Sequence, residues 1–236
     1  MSPERLVIAD GAALTEAAAE WIAAAIESDV RDRGRCAVAL SGGTTPRPVY
    51  ERLARTPLAS RIAWRNVAIY FGDERAVPPA DPQSNYAMAR TALLDRAGIP
   101  AAQVHRMEAE RADRDAAARD YERVLPEQLD LLLLGMGADG HTASLFPGSP
   151  LLDERRRRVA PATGPTPPRE RLTITPPVIA RARRVAVLVA GAEKAATVAA
   201  VLRSPARPGE LTVQLALGGT WFVDRAAAAN LAEATA

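Results

Sequence analysis

The sequence has few of the residues that mark secreted and membrane-spanning proteins. Cys36 is the one cysteine among 236 residues, so no internal disulfide can form, and its place in an apolar run predicts a buried free thiol. No apolar run reaches the roughly 18 residues that a transmembrane helix needs. The N-terminal segment MSPERLVIADG lacks the basic-then-apolar order of a signal peptide. Together these features predict a cytoplasmic protein.

Lysine is almost absent as well. Lys and Arg total 30, of which one is Lys194 and 29 are arginine, so an ammonium group kept at this position suggests a specific need for it. The net charge of +2 is small, and the basic run at 155–158 follows Asp153 and Glu154 without interleaved aromatic residues. That run predicts a solvated loop rather than a nucleic-acid surface. We expect no nucleic-acid, membrane or obligate protein partner.

Short apolar runs alternate with Ala-rich amphipathic stretches, a pattern typical of βα units. The predicted strands are 5–9, 35–41, 66–73, 103–107, 129–137, 184–191 and 211–217. The predicted helices are 12–33, 46–60, 84–97, 111–124, 176–182, 193–203 and 224–233. Gly34 is the expected C-cap of the first helix, and the Pro-rich segment 159–168 is expected to form a loop. We predict a single α/β domain over 1–236, with an open, mostly parallel, Rossmann-like sheet and helices on both faces.

Two strand-to-helix turns are candidate anion sites, because helix N-termini present free N–H groups at the carboxyl ends of such strands. In ALSGGTTPRPVYERL, 39–53, glycines allow close backbone approach and hydroxyls add donors, although a tight turn with an N-cap is an equal alternative. The residues concerned are Ser41, Gly42, Gly43, Thr44 and Thr45. In VLVAGAEKAATVAAVL, 187–202, Lys194 falls in the first helical turn, where a cation opposes the helix dipole unless an anion is bound.

A third turn, GMGADGHTASLFPG at 135–148, contains the G-x-G-x-x-G pattern of dinucleotide-binding domains. Pro147 and Pro150 prevent the long helix that such a domain needs, and no strand ending in an acid follows at the expected spacing. The turn instead presents Asp139 two residues before His141, close enough to orient an imidazole. Histidines in general titrate near neutral pH, so His141 is a candidate general base, with a loop-capping histidine as the alternative. His105, in the short run QVHRM, is expected to be structural.

Two further segments concentrate charge. FGDERAVPPADPQSNYAM, 71–88, brings Asp73, Glu74 and Arg75 together and offers Ser84 and Asn85 as caps of the next helix. PPRERLTIT, 167–175, places Arg169 and Arg171 before a strand, and arginine suits bidentate binding of an anion.

The segments LSGGTTP, FGDER with DPQSNY, LLLLGMGADGHTASLFPG, PPRERLTIT and VAGAEKA, in this order, resemble the 6-phosphogluconolactonase family. That family belongs to the wider group of sugar-phosphate isomerases and lactonases, which includes glucosamine-6-phosphate isomerase (deaminase). The resemblance spans roughly residues 5–225. It implies a cytoplasmic hydrolase that acts on a carboxylic ester and opens 6-phospho-D-glucono-1,5-lactone in the oxidative pentose phosphate pathway. It also implies no metal and no cofactor.

By this resemblance His141 is the catalytic base and Asp139 its companion. The residues implied to bind substrate and phosphate are Ser41, Gly42, Gly43, Thr44, Thr45, Asp73, Arg75, Arg171 and Lys194. Arg171 matches the family's R-[IV]-T position, whereas Arg169 does not.

Two departures from the family pattern bear on function. The isomerases carry a glutamate five residues after the histidine, for opening the sugar ring, and this chain has Phe146 there, which favours the lactonase over the deaminase. The segment RPGELTVQLA, 207–216, differs from the expected shorter Pro-Ala segment. No G-x-S-x-G motif is present, so we expect direct attack by water rather than a covalent route. A sugar-phosphate binding module without catalysis remains the alternative of another class.

Overall fold

The computed structural model describes residues 2–231 and contains two sheets. The strands are β1 (Arg5–Ala9), β2 (Cys36–Leu40), β3 (Val67–Phe71), β4 (Asp73–Arg75), β5 (Leu131–Gly135), β6 (Val159–Thr163), β7 (Glu170–Ile174), β8 (Arg184–Val189) and β9 (Thr220–Asp224). Six of them form a wholly parallel sheet in the order β1-β9-β8-β5-β2-β3. The other three form a small antiparallel sheet in the order β4-β7-β6.

The helices are α1 (Gly11–Arg33), α2 (Pro46–Leu53), α3 (Leu58–Arg61), α4 (Asn85–Ala89), α5 (Arg114–Val124), α6 (Pro176–Arg181) and α7 (Ala195–Arg203). A π-helical turn, Arg90–Leu94, continues α4. Single 3₁₀ turns cover Trp64–Asn66, Ala101–Gln103, Pro150–Asp153, Ala192–Lys194, Thr212–Ala216 and Ala229–Leu231. Within residues 2–231 no helix is both long and apolar enough to cross a lipid bilayer.

The centre of the parallel sheet is covered on both faces. Leu131 to Leu134 in β5 are each at most 1% exposed, although successive side chains of a strand point to opposite faces. Both faces of this strand are therefore covered, as parallel sheets require. The predicted α/β class with an open, mostly parallel sheet is confirmed.

The first helix also ends as expected. Gly34 adopts φ 72° and donates its N–H to the Val30 carbonyl at 2.8 Å, so the C-cap prediction is confirmed. Cys36 is a buried free thiol, and burial raises its pKa. The prediction of one domain over 1–236 stays a prediction.

The segment 159–168, predicted as a loop, begins with strand β6 instead. Its prolines suggested a loop, but Pro161 lies on an edge strand of the small sheet, where a missing backbone donor is tolerated. The predicted strand 103–107 is also wrong. A 3₁₀ turn, Ala101–Gln103, leads into a single bridge between Val104 and Ile69.

The C-terminal elements differ most from the prediction. The segment 211–217 has the alternation of a strand but forms a 3₁₀ helix, Thr212–Ala216, in which Thr212 and Gln214 are buried. Their side chains form hydrogen bonds with the backbone of two loops and of α7. The strand of this region is β9, which follows at once. The predicted helix 224–233 is wrong over its described residues, because 225–228 form turns and 229–231 form a short 3₁₀ helix. Residues 232 and 233 lie outside the described part.

Two predicted helices are interrupted. The stretch 46–60 is split into α2 and α3, with Pro57 at the start of the second helix. The stretch 193–203 begins with the 3₁₀ turn Ala192–Lys194 before α7.

Candidate active site

The loops that follow β2, β3, β5 and β8 converge on one cleft of about 170 Å³ at the carboxyl edge of the parallel sheet. This is the edge at which open α/β sheets bind their ligands. The cleft is lined by Ser41, Gly42, Gly43, Thr44, Thr45, Pro46, Asp73, Arg75, Asn85, Gly135, Met136, Gly137, His141, Thr142, Ala143, Arg171, Leu188 and Lys194. Every predicted substrate-binding residue thus lies on the cleft, together with His141.

Asp139 fixes the orientation of the His141 imidazole through hydrogen bonds. The Asp139 Oδ1 atom lies 2.5 Å from His141 Nδ1 and also accepts the His141 backbone N–H at 3.1 Å. The hydrogen bond from the imidazole lowers the pKa of the Asp139 carboxyl, so the carboxylate stays ionised beside the ring. Because Nδ1 is engaged, Nε2 is the ring nitrogen left for the cleft, and it has no protein partner within residues 2–231.

Gly137 makes room for this pair. A Cβ at position 137 would overlap His141 Nδ1 and lie 2.7 Å from Asp139 Oδ1. The Gly137 N–H donates to the His141 carbonyl at 2.9 Å, which closes the turn. Gly140 supplies the left-handed residue of the turn, with φ 81°. The glycines of the G-x-G-x-x-G pattern therefore bring the acid and the imidazole together.

Phe146 lies against the histidine. The two rings are 4.5 Å apart between centroids, and the Arg171 guanidinium carbon lies 5.6 Å from the Phe146 centroid. Phe146 is 9% exposed. An apolar ring therefore occupies the flank of His141 where the resemblance places a glutamate in the isomerases, and the ring cannot take part in proton transfer.

The loop formed by residues 41–45, called the 41–45 loop below, leads from β2 into α2. Gly43 has φ 96°, and a Cβ at Gly42 would overlap the Asn85 side chain, so both glycines are needed for this path. Among the hydrogen bonds of residues 2–231, none is donated by the backbone N–H groups of residues 42–45. Residues 42–45 line the cleft, and consecutive free N–H groups suit an anion.

Two arginines lie side by side on adjacent strands of the small sheet. Arg75 in β4 is paired in register with Arg171 in β7. Like charges directly opposite destabilise a sheet, and the buried Nε atoms of both residues have no hydrogen-bond partner in the described structure. Burial lowers the pKa of Arg171, which Asp73 partly offsets. A bound anion would relieve the repulsion between the two guanidinium groups.

Lys194 supplies a third cationic group, from the 3₁₀ turn that precedes α7. Burial lowers the pKa of its ammonium group, with Glu193 and Asp224 acting in the opposite direction. Arg169, the other arginine of 167–175, does not line the cleft, and its carbonyl accepts the Gly164 N–H at 2.7 Å.

Asp73 is buried and fixed in place. Its carboxylate accepts the Ser144 hydroxyl at 2.6 Å and the Asn85 side-chain amide at 3.0 Å. Ser84 is the N-cap of α4, as expected, and accepts the Ala87 N–H. Asn85, expected to be a cap, instead lines the cleft.

Glu74 holds together the two ends of the segment 75–85 by accepting backbone hydrogen bonds from both. It is 3% exposed, and its two oxygens accept the N–H groups of Arg75, Asn85 and Tyr86, each at 2.8 Å, and the Ser84 hydroxyl at 3.0 Å. No role was predicted for Glu74 from the sequence. Its position between Asp73 and Arg75, which both line the cleft, was the only indication of such a role in the sequence.

Thr142 and Ala143 also line the cleft, although the sequence did not predict it. Ala143 has φ 48°, a conformation that a residue with a side chain rarely adopts, and strain of this kind clusters at functional sites. Thr142 donates its hydroxyl to the Gly135 carbonyl at 2.8 Å. This hydrogen bond ties the segment after His141 to the end of β5.

Asp29, Cys36 and Asp130 bring three potential metal-ligand atoms together at the opposite, amino edge of the sheet. Arg33 pairs with both carboxylates at 2.6 Å, and Arg184 donates to both oxygens of Asp29 at 2.8 Å. The positively charged guanidinium groups of Arg33 and Arg184 thus neutralise the carboxylates, so their charge does not call for a metal ion. These ion pairs connect elements at the amino edge of the sheet, and none of the three residues lines the cleft.

The fold and the cleft define an open-sheet α/β protein with a histidine–aspartate pair beside a cleft lined by Arg75, Arg171 and Lys194. A family described as glucosamine-6-phosphate isomerases/6-phosphogluconolactonase matches residues 9–220. The chain belongs to this family.

Two relatives are similar to the chain over nearly their whole length. It is 37% identical to a 6-phosphogluconolactonase of Synechocystis sp., with 98% of this chain and 99% of the relative covered. It is 39% identical to a 6-phosphogluconolactonase of Mycobacterium tuberculosis, again covering 98% and 99%. Among solved structures, the 6-phosphogluconolactonase of Trypanosoma brucei superposes with a TM-score of 0.86 at 30% identity, covering 98% of this chain and 99% of that one.

Proposed function

We propose that this protein hydrolyses 6-phospho-D-glucono-1,5-lactone to 6-phospho-D-gluconate, with His141 as the general base. The observation that carries the proposal is the arrangement of the cleft. An imidazole oriented by Asp139 lies beside a site for a dianion formed by Arg75, Arg171 and Lys194. The family match and the lactonases that resemble the chain over their full length support the choice of substrate.

The phosphate of the substrate is bound first. The guanidinium groups of Arg75 and Arg171, the Lys194 ammonium group and the free N–H groups of the 41–45 loop surround the anion. Binding at this remote group holds the lactone carbonyl near His141 and converts part of the binding energy into orientation.

The chemical step is then hydrolysis by water. Nε2 of His141 takes a proton from water as the water oxygen attacks C1 of the lactone. The bond between C1 and the ring oxygen breaks, and the imidazolium returns the proton to that oxygen. Asp139 accepts the hydrogen bond from Nδ1 throughout and stabilises the imidazolium. No group of the enzyme becomes acylated in this scheme.

The reaction needs no metal ion in this proposal, because the charge on the substrate phosphate is matched by Arg75, Arg171 and Lys194. We expect activity to be unchanged after dialysis against a chelator. Loss of activity that a divalent cation restores would contradict this part of the proposal. Location in the cytoplasm stays a prediction from the sequence.

Two substrates separate this proposal from its alternatives. We expect saturable consumption of the lactone and no release of ammonia from glucosamine 6-phosphate, because Phe146 cannot move a proton at the sugar ring. Ammonia release would favour the isomerase. Saturable binding of 6-phosphogluconate without lactone consumption would favour a binding module without catalysis.

Replacing Lys194 by alanine is expected to raise KM for the lactone by about 10- to 100-fold, the effect of losing one charge-assisted hydrogen bond to an anion. The value of kcat should change little, because Lys194 lies on a different loop from His141. Initial rates over a range of lactone concentrations measure both constants. An unaltered KM would argue against contact between Lys194 and the phosphate.

The lowered pKa of Lys194 also predicts a pH dependence. Its ammonium group loses its proton at a lower pH than an ordinary lysine, so affinity for 6-phosphogluconate should fall as pH rises through the alkaline range. Lys194→Arg keeps the positive charge and should remove that fall. Calorimetric titrations of both proteins across this range make the comparison, and parallel pH profiles would contradict the assignment.

A further inference from the structure

Tyr50 holds the first residue of the 41–45 loop through both polar groups of its backbone. The Tyr50 hydroxyl accepts the Ser41 N–H at 2.9 Å and donates to the Ser41 carbonyl at 2.9 Å. The tyrosine is fully buried. Ser41 is the residue after Leu40, where β2 ends, so the hydroxyl satisfies the backbone groups of the first residue beyond the sheet.

The rest of the loop has no such anchor. Across the described chain, the N–H groups of residues 42–45 donate no hydrogen bond, and α2 begins directly afterwards at Pro46. The loop is therefore fixed at Ser41 on one side and at the helix on the other. Since Tyr50 belongs to α2, it joins these two ends to each other.

We propose that Tyr50 is a positioning residue that sets the 41–45 loop for binding the substrate phosphate. The inference rests on the proposed function, in which the free N–H groups of this loop contact that phosphate. Without the hydroxyl, the Ser41 N–H and the Ser41 carbonyl both lose their hydrogen bonds inside the protein. They belong to the two peptide groups on either side of Ser41, which can then rotate to recover hydrogen bonds elsewhere, and the N–H groups of residues 42–45 move with them.

Tyr121 provides a matched control, because it makes the same arrangement at the neighbouring strand. Its buried hydroxyl accepts the Phe71 N–H at 2.8 Å and donates to the Phe71 carbonyl at 3.2 Å. Phe71 ends β3 but does not line the cleft. Removal of either hydroxyl leaves one buried N–H and one buried carbonyl unpaired, so the two variants should lose similar stability.

The experiment compares Tyr50→Phe with Tyr121→Phe, using inorganic phosphate as the probe in calorimetric titrations and the lactone as the substrate. For Tyr50→Phe we expect the dissociation constant of phosphate and the KM of the lactone to rise by on the order of tenfold, in keeping with the cost of a displaced binding group. The value of kcat should stay within about threefold, because His141 lies on another loop. Tyr121→Phe should change neither constant, although its melting temperature falls equally.

Equal changes in both variants, or unchanged phosphate affinity in Tyr50→Phe, would overturn the inference. If Tyr50→Phe does not fold, hydrogen exchange on the wild-type protein decides. The Ser41 amide should be protected and the amides of residues 42–45 should exchange fast until inorganic phosphate is added, whereas fast exchange at Ser41 would contradict the inference. Phosphate binding and exchange do not depend on catalysis, so they separate this inference from failure of the lactonase proposal.

Discussion

Replacing His141 by alanine is expected to lower kcat for lactone hydrolysis by about 10²- to 10⁴-fold, the usual contribution of a general base. The residual rate would come from substrate held next to water without a proton acceptor. KM and the affinity for 6-phosphogluconate should change little, because the groups proposed to bind the phosphate lie on other loops. Initial rates with the spontaneous hydrolysis subtracted measure the loss.

The matched control is His105→Gln, at the only other histidine of the chain. His105 stacks on Tyr70 with centroids 4.7 Å apart and does not line the cleft. We expect its activity to equal that of the wild type. If His141→Ala retains full turnover, or if both variants lose activity equally, His141 is not the base.

A large loss of kcat is also expected from Gly137→Ala, which adds a single methyl group. In Gly137→Ala the new Cβ would overlap His141 Nδ1 and crowd Asp139 Oδ1, so the imidazole must leave its position. A displacement of about 1 Å at a reacting group costs on the order of 10²-fold in rate. We therefore expect a loss of this size in kcat, with phosphate affinity kept.

Gly218→Ala is the control for Gly137→Ala. Gly218 has open space where a Cβ would be added, and its φ is not positive. The melting temperatures of both variants and their kcat values should be measured together. Full activity in Gly137→Ala would show that the Asp139–His141 pair does not need the observed geometry.

Local patterns were sufficient to predict the parts of the fold and site that depend on neighbouring residues. Continuous apolar runs such as 131–134 predicted buried parallel strands, since a strand covered on both faces shows no alternation. The placement of the 41–45 loop, His141 and Lys194 at strand ends then follows, because parallel strands end at a common edge. Their roles stay proposals.

The features that were missed depend on contacts between distant residues. Nothing in the sequence indicates that Arg75 lies opposite Arg171, because that register is formed only when β4 pairs with β7, almost a hundred residues further along. The proline of β6 suggested a loop, since an edge position is not visible in a single chain. In the segment Thr212–Ala216, polar and apolar residues alternate, which predicted a strand. The polar residues Thr212 and Gln214 are buried in a 3₁₀ helix instead, because they form hydrogen bonds with loops that only the folded chain brings close.

The initial rate of 6-phospho-D-glucono-1,5-lactone loss at neutral pH decides whether the protein is a lactonase. We predict a rate that is proportional to protein concentration, saturates with lactone, exceeds spontaneous hydrolysis and yields 6-phospho-D-gluconate. A rate equal to spontaneous hydrolysis at every protein concentration would contradict the account.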